Sequence, residues 1–318
     1  MPASQPYSVV IPTSGRSKLL KGVFESLSGQ RHAPSEVIVV DAGLGEFASE
    51  ACQSERAGLP IQCVPAEVAS AAKQRNQGAA LASTPVTVFC DDDMSFGPDL
   101  MEKLCHAVSD PSLEVAGVAA RINGLGHHAP GSLLRTYYRF QAGYAHPHYG
   151  CRVIGPAINF LPCYEAEAGP LAYSDWLNSG LVAYRSDVFR EEQFPDFSGY
   201  SYMEDVHLSY RVSRRFKTAF HCDAICEHHG VESTASLITR AELVEMQWKN
   251  RVRIVRELMK TPRRKALMQL RFHRQFILFF LRKSRQPGWR EEYAGLKAMN
   301  LAEMYDQAPD GTASRSGA

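Results

Sequence analysis

VTVFCDDDMS, residues 86–95, is the stretch from which the fold is read. Its apolar first half predicts a buried strand that ends in three consecutive carboxylates, and Asp91 and Asp93 point the same way in an extended chain. Adjacent acids repel one another, and a divalent cation with oxygen ligands is the usual counter-charge. The stretch therefore predicts a metal site at the carboxyl edge of an α/β sheet, where such sheets bind ligands. A solvated acidic turn, with Asp99 capping the next helix, is the alternative.

The segments before this strand alternate between strand and helix. β-Branched runs predict strands at residues 7–11, 36–40 and 61–65, and apolar or Ala-rich patterns predict helices at 19–27 and 69–81. Strands joined by helices imply a parallel sheet, and polar residues at successive strand ends are typical of a nucleotide-binding half-domain. Because the chain has neither a G-x-G-x-x-G motif nor a P-loop lysine motif, dinucleotide and kinase-type phosphate sites are disfavoured.

Length and composition bound the class of protein. The 318 residues, 45% of them apolar, suffice for one large α/β domain or for one domain with an appendage. A net charge of +1 gives no reason to expect a nucleic-acid partner. Eight scattered cysteines favour a reducing compartment, and the chain shows neither a signal-peptide pattern nor a membrane-spanning apolar run. A cytoplasmic location is therefore expected.

A second acidic pair, Glu204 and Asp205, precedes a helix predicted at residues 206–216. Two acids in a first helical turn are sufficiently explained by the helix macrodipole. The functional alternative is that one of them is a general base at the floor of a cleft. The long Gly-, Pro- and His-rich stretch 124–170 is expected to form the acceptor side of that cleft, or else a structural excursion under the sheet.

Four blocks, in one order, carry a resemblance to a known family. They are VVIPTSGRSKLLKGVFESLSGQ (residues 9–30), EVIVVDAG (36–43), AAKQRNQGAALASTPVTVFCDDD (71–93), and YMEDVHLSYRVSRR (202–215) followed by CEHHG (226–230). Each block alone is a weak motif, but together they resemble the inverting glycosyltransferases of family 2. The resemblance implies a GT-A fold, which is a Rossmann-like sandwich with a mostly parallel central sheet. It would occupy residues 1–232, with a nucleotide-binding half at 1–95 and an acceptor half at 96–232.

The resemblance also implies roles for single residues. The nucleotide-binding set would be Pro12, Thr13, Arg16, Asp41, Arg75, Asn76, Asp91 and Asp92. Asp91 and Asp93 would hold Mg²⁺ or Mn²⁺ on the diphosphate, and His228 would complete this metal site, with His229 as its rival. Asp205 would be the base, and Glu204 would position it.

The implied reaction moves a hexosyl or deoxyhexosyl group from a nucleoside-diphosphate-sugar, with UDP or dTDP as the first choice of nucleotide. The acceptor would be a hydroxyl group of a saccharide, a lipid-linked molecule or a small molecule. A divalent ion stabilises the leaving diphosphate, and a carboxylate on the opposite face takes the hydroxyl proton, so that the anomeric centre inverts.

The acceptor side would include Trp176, Asn178 and Ser179. This stretch departs from the family pattern, because Ser179 stands where glycine is common and Leu181 stands where asparagine is common.

Two other functions stay open. A nucleotidyltransferase would share the acidic metal site, but it should carry a Gly-rich, basic loop after the first strand, where this chain has only Pro-Thr-Ser-Gly-Arg at 12–16. A non-catalytic protein with a retained nucleotide-binding GT-A scaffold has no need for both the three aspartates and the acidic pair.

The C-terminal quarter of the chain is helical in pattern and basic. Residues 233–306 are expected to form a helical extension, and residues 307–318 a disordered tail. The segment 263–290 mixes large apolar residues with arginines and lysines. A basic amphipathic helix can lie on an anionic membrane surface, which would put the protein at the inner face of the cell membrane. Packing on the catalytic domain or on a partner subunit is the alternative.

Overall fold

A nine-stranded sheet runs through the part of the chain that the computed structural model describes, which is residues 5–43, 58–197, 202–230 and 238–309. The strands, including a separate pair β7–β8, are β1 (Tyr7–Thr13), β2 (Glu36–Asp41), β3 (Ile61–Pro65), β4 (Val86–Cys90), β5 (Met94–Phe96), β6 (Val115–Ile122), β7 (Val153–Ile154), β8 (Ile158–Asn159), β9 (Leu171–Tyr173), β10 (Leu181–Arg185) and β11 (Lys217–His228). Their order across the large sheet is β3-β2-β1-β4-β10-β6-β11-β5, and β9 also pairs with β11.

The first half of the sheet is parallel. β1 lies between β2 and β4 and runs parallel to both. Every residue of β1 and of β4 is buried, as expected of strands that are covered on both faces. β10 is antiparallel to β4 and β6, and β5 and β9 are antiparallel to β11. The predicted α/β class with a mostly parallel central sheet is therefore confirmed.

Ten helices surround the sheet in the described residues. They are α1 (Ser17–Ser28), α2 (Ala71–Leu81), α3 (Leu100–Ser109), α4 (Ser132–Ala142), α5 (Ser186–Glu191), α6 (Glu204–Ser213), α7 (Arg240–Glu257), α8 (Arg263–Ser284), α9 (Trp289–Ala298) and α10 (Leu301–Gln307). α2 packs very closely on the sheet at Gly78, where an added Cβ would lie 2.4 Å from Val10 Cγ1. Because Gly78 has no side chain, α2 can pack closely on the sheet, and its polar face then lies at the ends of β1 and β2.

Strands β9 and β10 are separated by residues 174–180, where some backbone groups bond to side chains. Ser174 Oγ donates to the carbonyl of Trp176, and Ser209 Oγ accepts from the amide of Leu177. The long strand β11 reaches His228 through a register shift after His221.

The C-terminal helices form a second apolar cluster that reaches the sheet domain. Trp248 and Leu270, on α7 and α8, share this cluster with Trp176, Val206 and Tyr210. The predicted helical extension is confirmed. Its predicted boundary at residue 232 and most of the predicted tail, residues 307–318, lie outside the described residues. The division into domains therefore stays a prediction.

Two further observations concern the surroundings of the protein. No described helix combines the length and the apolar composition that a membrane crossing requires. Six cysteines are free thiols, but Cys63 on β3 is disulfide-bonded, which the scattered cysteine spacing did not predict.

Candidate functional site

The three aspartates after β4 face different partners, and Asp92 and Asp93 lie in a turn between β4 and β5. Asp91 Oδ1 lies 2.6 Å from Arg75 Nη2, and the Asp91 amide donates to the carbonyl of Gly180. Asp93 Oδ2 lies 3.4 Å from His228 Nε2. Asp92 points into the protein and is fully buried. Asp91 is thus paired with Arg75 and Asp93 with His228, and their roles as metal ligands stay predictions.

Asp92 anchors the loop between β1 and α1. Its Oδ2 accepts hydrogen bonds from Thr13 Oγ1 at 2.6 Å and from Arg16 Nε at 3.0 Å, and Arg16 Nη2 lies 2.7 Å from Oδ1. Burial raises the pKa of Asp92 to about 6, although the Thr13 hydroxyl and the Arg16 charge oppose this shift. Asp92 thus holds two of the predicted nucleotide contacts in place, while its own contact with a nucleotide stays a prediction.

Asp41, at the end of β2, ties two loops together. Its Oδ1 accepts from the amides of Gly15, at 2.9 Å, and Gly43, at 2.8 Å. The two glycines touch so closely that a Cβ on Gly43 would lie 2.3 Å from the Gly15 nitrogen. Asp41 Oδ2 is buried and has no hydrogen-bond partner among the described residues. An unsatisfied buried carboxylate oxygen is costly, so this atom is suited to accept a hydrogen bond from a ligand. Pro12 lies buried in β1, paired with Val40 of β2.

Arg75 joins the two acidic parts of the site. Its guanidinium is buried and contacts Asp91 at 2.6 Å and Glu204 at 3.3 Å. It also lies over the ring of Phe194, with Cζ 5.3 Å from the ring centroid. Asp91 and Glu204 are far apart in the sequence, so this arginine places the end of β4 beside the start of α6. Charge-assisted contacts of a planar guanidinium fix the direction of both carboxylates.

Glu204 and Asp205 begin α6 directly after Met203, which has a φ of +67°. This backbone conformation is uncommon for a residue other than glycine, and such strain is often found at functional sites. Burial raises the pKa of Glu204, and the Arg75 charge opposes the shift. Burial and then the negative charge of Glu204 raise the pKa of Asp205 to about 7. A carboxylate that titrates near neutral pH is suited to general base catalysis.

Asn76 and the predicted acceptor residues are placed less directly. Both polar atoms of the Asn76 amide bond to the backbone of Phe194, at 2.9 and 3.0 Å. Trp176 is buried in the C-terminal cluster, and its indole donates to the carbonyl of Phe160. These contacts explain both side chains structurally, so their contacts with substrate stay predictions. Asn178 Oδ1 is buried without a partner among the described residues, and no contact of the Ser179 side chain with the site is seen there; it is Gly180 whose carbonyl accepts from the Asp91 amide.

The register of β11 on β5 selects between the two histidines. His228 pairs with Met94, which places its imidazole against the Asp93 carboxylate. The ring of His229 instead bonds to Ser95 Oγ at 2.7 Å, while its amide donates to the carbonyl of Asp93. His228 is therefore the better placed of the two for a metal on Asp93.

The residues fit a divalent ion that needs few protein ligands. Within the described part of the chain, no group of three His, Cys, Asp or Glu side chains converges as a metal cage would require. Asp93 and His228 nevertheless offer a carboxylate and an imidazole side by side. Magnesium-type ions are commonly bound by one or two carboxylates, with substrate phosphates and water completing the shell. The donor set thus suits an ion that arrives with a diphosphate.

Gln74 is a positioning residue that the sequence reading missed. Its buried amide donates to the carbonyls of Thr13 and Val40, each at 2.7 Å, and so joins the ends of β1 and β2. The sequence signal that could have identified Gln74 is its position next to Arg75 on the same helix. A glutamine at this place could equally have been solvated.

Comparison with known proteins connects this geometry to a family. Residues 8–155 match the family model for glycosyl transferase family 2. Validoxylamine A glucosyltransferase of Streptomyces hygroscopicus subsp. limoneus is 32% identical over 227 residues, which cover 64% of this chain and 47% of that protein. The uncharacterized glycosyltransferase YwdF of Bacillus subtilis is 36% identical over 103 residues, 32% of this chain and 37% of its own. The chain spans about half the length of the validoxylamine relatives that it matches.

Solved structures share the fold at low sequence identity. Mannosyltransferase PcManGT of Pyrobaculum calidifontis, in complex with GDP-Man and Mn²⁺, has a TM-score of 0.54 and 12% identity, covering 96% of this chain and 87% of its own. S. aureus TarS 1-349 in complex with UDP-GlcNAc has a TM-score of 0.52 and 15% identity, covering 78% and 65%. These matches show that the chain shares the fold of these solved glycosyltransferase structures.

Proposed function

We propose that this chain, which has the GT-A fold and matches the glycosyl transferase family 2 model over residues 8–155, is a member of that family and transfers a hexosyl or deoxyhexosyl group from a nucleoside-diphosphate-sugar to a hydroxyl acceptor. The transfer inverts the anomeric centre and depends on a divalent metal, and Asp205 is the general base. Two curated relatives are validoxylamine A glucosyltransferases, which favours a hexosyl donor and an acceptor of the saccharide or small-molecule kind.

One observation carries the proposal, and it is the Arg75 bridge. Arg75 binds Asp91 on the metal side and Glu204 beside the base, at 2.6 and 3.3 Å. A displacement at a sugar carbon needs charge stabilisation on the leaving group and proton removal at the attacking group, in two places a fixed distance apart. A buried guanidinium between the two acidic parts holds this separation. Neither a structural acidic turn nor a helix-dipole effect would need such a link.

The donor diphosphate would lie at the end of β4. Asp93 and His228 would hold Mg²⁺ or Mn²⁺ there, with Asp91 beside them. Such an ion supplies Lewis-acid stabilisation of the charge on the departing diphosphate. Arg16 and Thr13, held by Asp92, would contact the nucleotide from the opposite loop.

The nucleotide base would be read by Asp41. Its buried Oδ2 lacks a partner among the described residues and accepts hydrogen bonds only. The ring N–H of a uracil or thymine is a matching donor, so this atom is compatible with UDP or dTDP, and it is equally compatible with the ring N–H of guanine in GDP. TarS was solved with UDP-GlcNAc and PcManGT with GDP-Man, so the fold itself accepts more than one base.

Asp205 would accept the proton of the attacking hydroxyl. Its raised pKa makes the carboxylate a stronger base than an ordinary aspartate while leaving a large ionised fraction at neutral pH. Glu204, held by Arg75, cannot easily change its direction and so fixes the start of α6. The alcohol then attacks from the side opposite the leaving diphosphate.

Donor hydrolysis tests the proposal without a known acceptor. The protein would be incubated with UDP-, dTDP-, GDP- and CDP-hexoses, with Mn²⁺ or with chelator, and the first anomer released would be identified by NMR. We expect one nucleotide to be preferred, metal dependence, and release of the inverted anomer. Thermal unfolding with the matching diphosphate should show metal-dependent stabilisation that Asp93→Ala removes. Release of the retained anomer would exclude inversion, and diphosphate binding without any hydrolysis or transfer would favour a non-catalytic scaffold.

A further inference from the structure

Two helices outside the candidate site, α4 and α8, present one continuous exposed face that is both apolar and basic. The large exposed apolar side chains on it are Leu133, Phe140, Met268, Phe272, Phe279 and Phe280. Every exposed phenylalanine and methionine of the described residues belongs to this face. Scattered exposed apolar residues are ordinary, but a contiguous patch marks an interaction surface. We call it the α4–α8 face.

The two helices form a rigid unit. Tyr137 Oη and His273 Nδ1 are 2.6 Å apart, and Tyr137 stacks on Phe276 with ring centroids 3.8 Å apart. Gln269 donates to the carbonyl of Gln141 at 2.7 Å. These buried contacts hold α4 against α8, and across the surface Phe140 meets Phe272 edge to face. The face therefore needs no rearrangement to bind a flat partner.

The exposed positions of α8 recur at helical spacing. Met268, Phe272 and Phe279 lie along one side of the helix, and cations flank them throughout. The flanking cations are Arg264, Lys265, Arg271, Arg282 and Lys283 on α8, with Arg135 and Arg139 on α4. Neither helix contains an aspartate or a glutamate. In the described residues none of the five α8 cations is in an ion pair, although Arg263 beside them pairs with Asp306.

A pocket opens at the end of this face. It has a volume of about 460 Å³ and lies between α8 and α9. Arg282, Lys283 and Gln275 line it together with Phe279 and Tyr293. Two cations and an amide next to aromatic rings suit an anionic group that is attached to something apolar.

We propose that the α4–α8 face docks on a lipid bilayer that contains anionic headgroups. Charge complementarity carries the choice of partner, since Lys and Arg are concentrated on two helices of a chain whose net charge is only +1. Basic residues bind the anionic headgroups, and the apolar side chains between them enter the acyl boundary.

Other occupants fit less well. A second copy of the chain would bring two like-charged faces together. A nucleic acid would match the cations and could stack on the phenylalanines, but the aliphatic side chains Leu133 and Met268 would then lie against its polar backbone. Residues 310–318 contain no large apolar side chain that could cover the face.

Vesicle sedimentation of the full chain tests the proposal. We expect binding to vesicles in which roughly a third of the lipid is phosphatidylglycerol, little binding to phosphatidylcholine alone, and weaker binding as salt rises. Arg282→Gln/Lys283→Gln should weaken binding roughly 30-fold, from the usual contribution of two surface cations. Arg31→Gln/Arg190→Gln is the control, because it removes the same charge from exposed positions elsewhere; it should change vesicle binding little.

The contribution of the apolar side chains to vesicle binding is tested with a second matched pair of variants. Phe279→Ser should weaken binding several-fold, whereas Leu125→Ser, at an exposed loop position, should not. Met268→Ser replaces Phe279→Ser if circular dichroism shows that the latter is misfolded. Three results would each overturn the proposal: equal binding to neutral vesicles, a dimer in sedimentation velocity that Phe279→Ser abolishes, or a single-stranded oligonucleotide that binds as tightly as the vesicles and displaces them.

Discussion

Replacing Arg75 with methionine tests the bridge on which the candidate site depends. The Arg75 side chain is 4% exposed, and it is paired with Glu204, at 8%, and with Asp91, at 29%. Methionine fills a similar volume but leaves both carboxylates without their cation. Removing one partner of a buried ion pair typically costs about 3–5 kcal/mol. Because Asp91 keeps part of its hydration, we expect a loss of about 3 kcal/mol.

This loss should be visible in thermal unfolding. For a chain of this size 1 kcal/mol corresponds to about 2 °C, so Arg75→Met should lower the melting temperature by about 6 °C. Arg263→Met is the control, since Arg263 forms a two-point pair with Asp306 at the surface, where such pairs contribute about 1 kcal/mol at most. Adding Asp91→Asn and Glu204→Gln to Arg75→Met removes the unpaired charges and should recover most of the lost stability, but not the activity.

The pH dependence of Arg75→Met gives an independent check. Without the guanidinium the pKa values of Asp91 and Glu204 in the folded state rise further above their unfolded values. An acid with a raised folded pKa contributes stability below its unfolded pKa and loses it as the pH rises through the folded pKa. The deficit of the variant should therefore be small near pH 4 and large at pH 8. A melting temperature within about 1 °C of the parent at pH 8, or a triple variant no more stable than Arg75→Met, would refute the assigned role of Arg75.

Three further predictions follow from the same geometry. Asp205→Asn should lower transfer or donor hydrolysis by about 10²–10⁴-fold while diphosphate binding, measured by calorimetry, is kept, and retained turnover would remove Asp205 from the role of base. Because the folded pKa of Asp205 is raised to about 7, the stability that Asp205 contributes is lost between pH 4 and pH 7 as the pH rises. Asp205→Asn should therefore have a higher melting temperature than the parent at pH 8 and lose this advantage near pH 4. An equal difference in melting temperature at all pH values in this range would contradict the raised pKa. Gly78→Ala should destabilise by about 1–3 kcal/mol in urea unfolding because its Cβ would meet Val10, whereas Gly22→Ala on α1, where nothing lies within 4 Å, should be neutral or stabilising.

Much of the fold could be predicted from local patterns. The buried runs that became β1, β2 and β4 are continuous and apolar, and their links are short, so strand type and parallel pairing followed from the sequence. The position of the three aspartates directly after a buried strand also followed, but the directions of their side chains did not, because Asp92 and Asp93 lie in a turn. Local patterns do not reveal the break between β9 and β10 at residues 174–180, where Ser174 and Ser209 bond to backbone groups. Nothing within that stretch identifies Ser209 as a partner.

The candidate site was predicted as a set of residues but not as an arrangement. The four blocks named Asp41, Arg75, Asp93 and Asp205, and these residues lie at the ends of adjacent elements. The contacts of these residues with one another and with their neighbours were learned only from the structure. Asp92, for example, is buried under Thr13 and Arg16 and holds both in place, while its own contact with a nucleotide stays a prediction.

The sequence by itself determined the α/β class, the resemblance to a glycosyltransferase family and the acidic residues, because periodicity and short motifs depend on near neighbours in the chain. The tertiary structure alone decided that Arg75 reaches Glu204, and that His228 faces Asp93 while His229 turns to Ser95. These contacts join residues more than a hundred positions apart. They depend on strand order and on the register of β11 against β5, which are properties of the whole sheet and not of any segment.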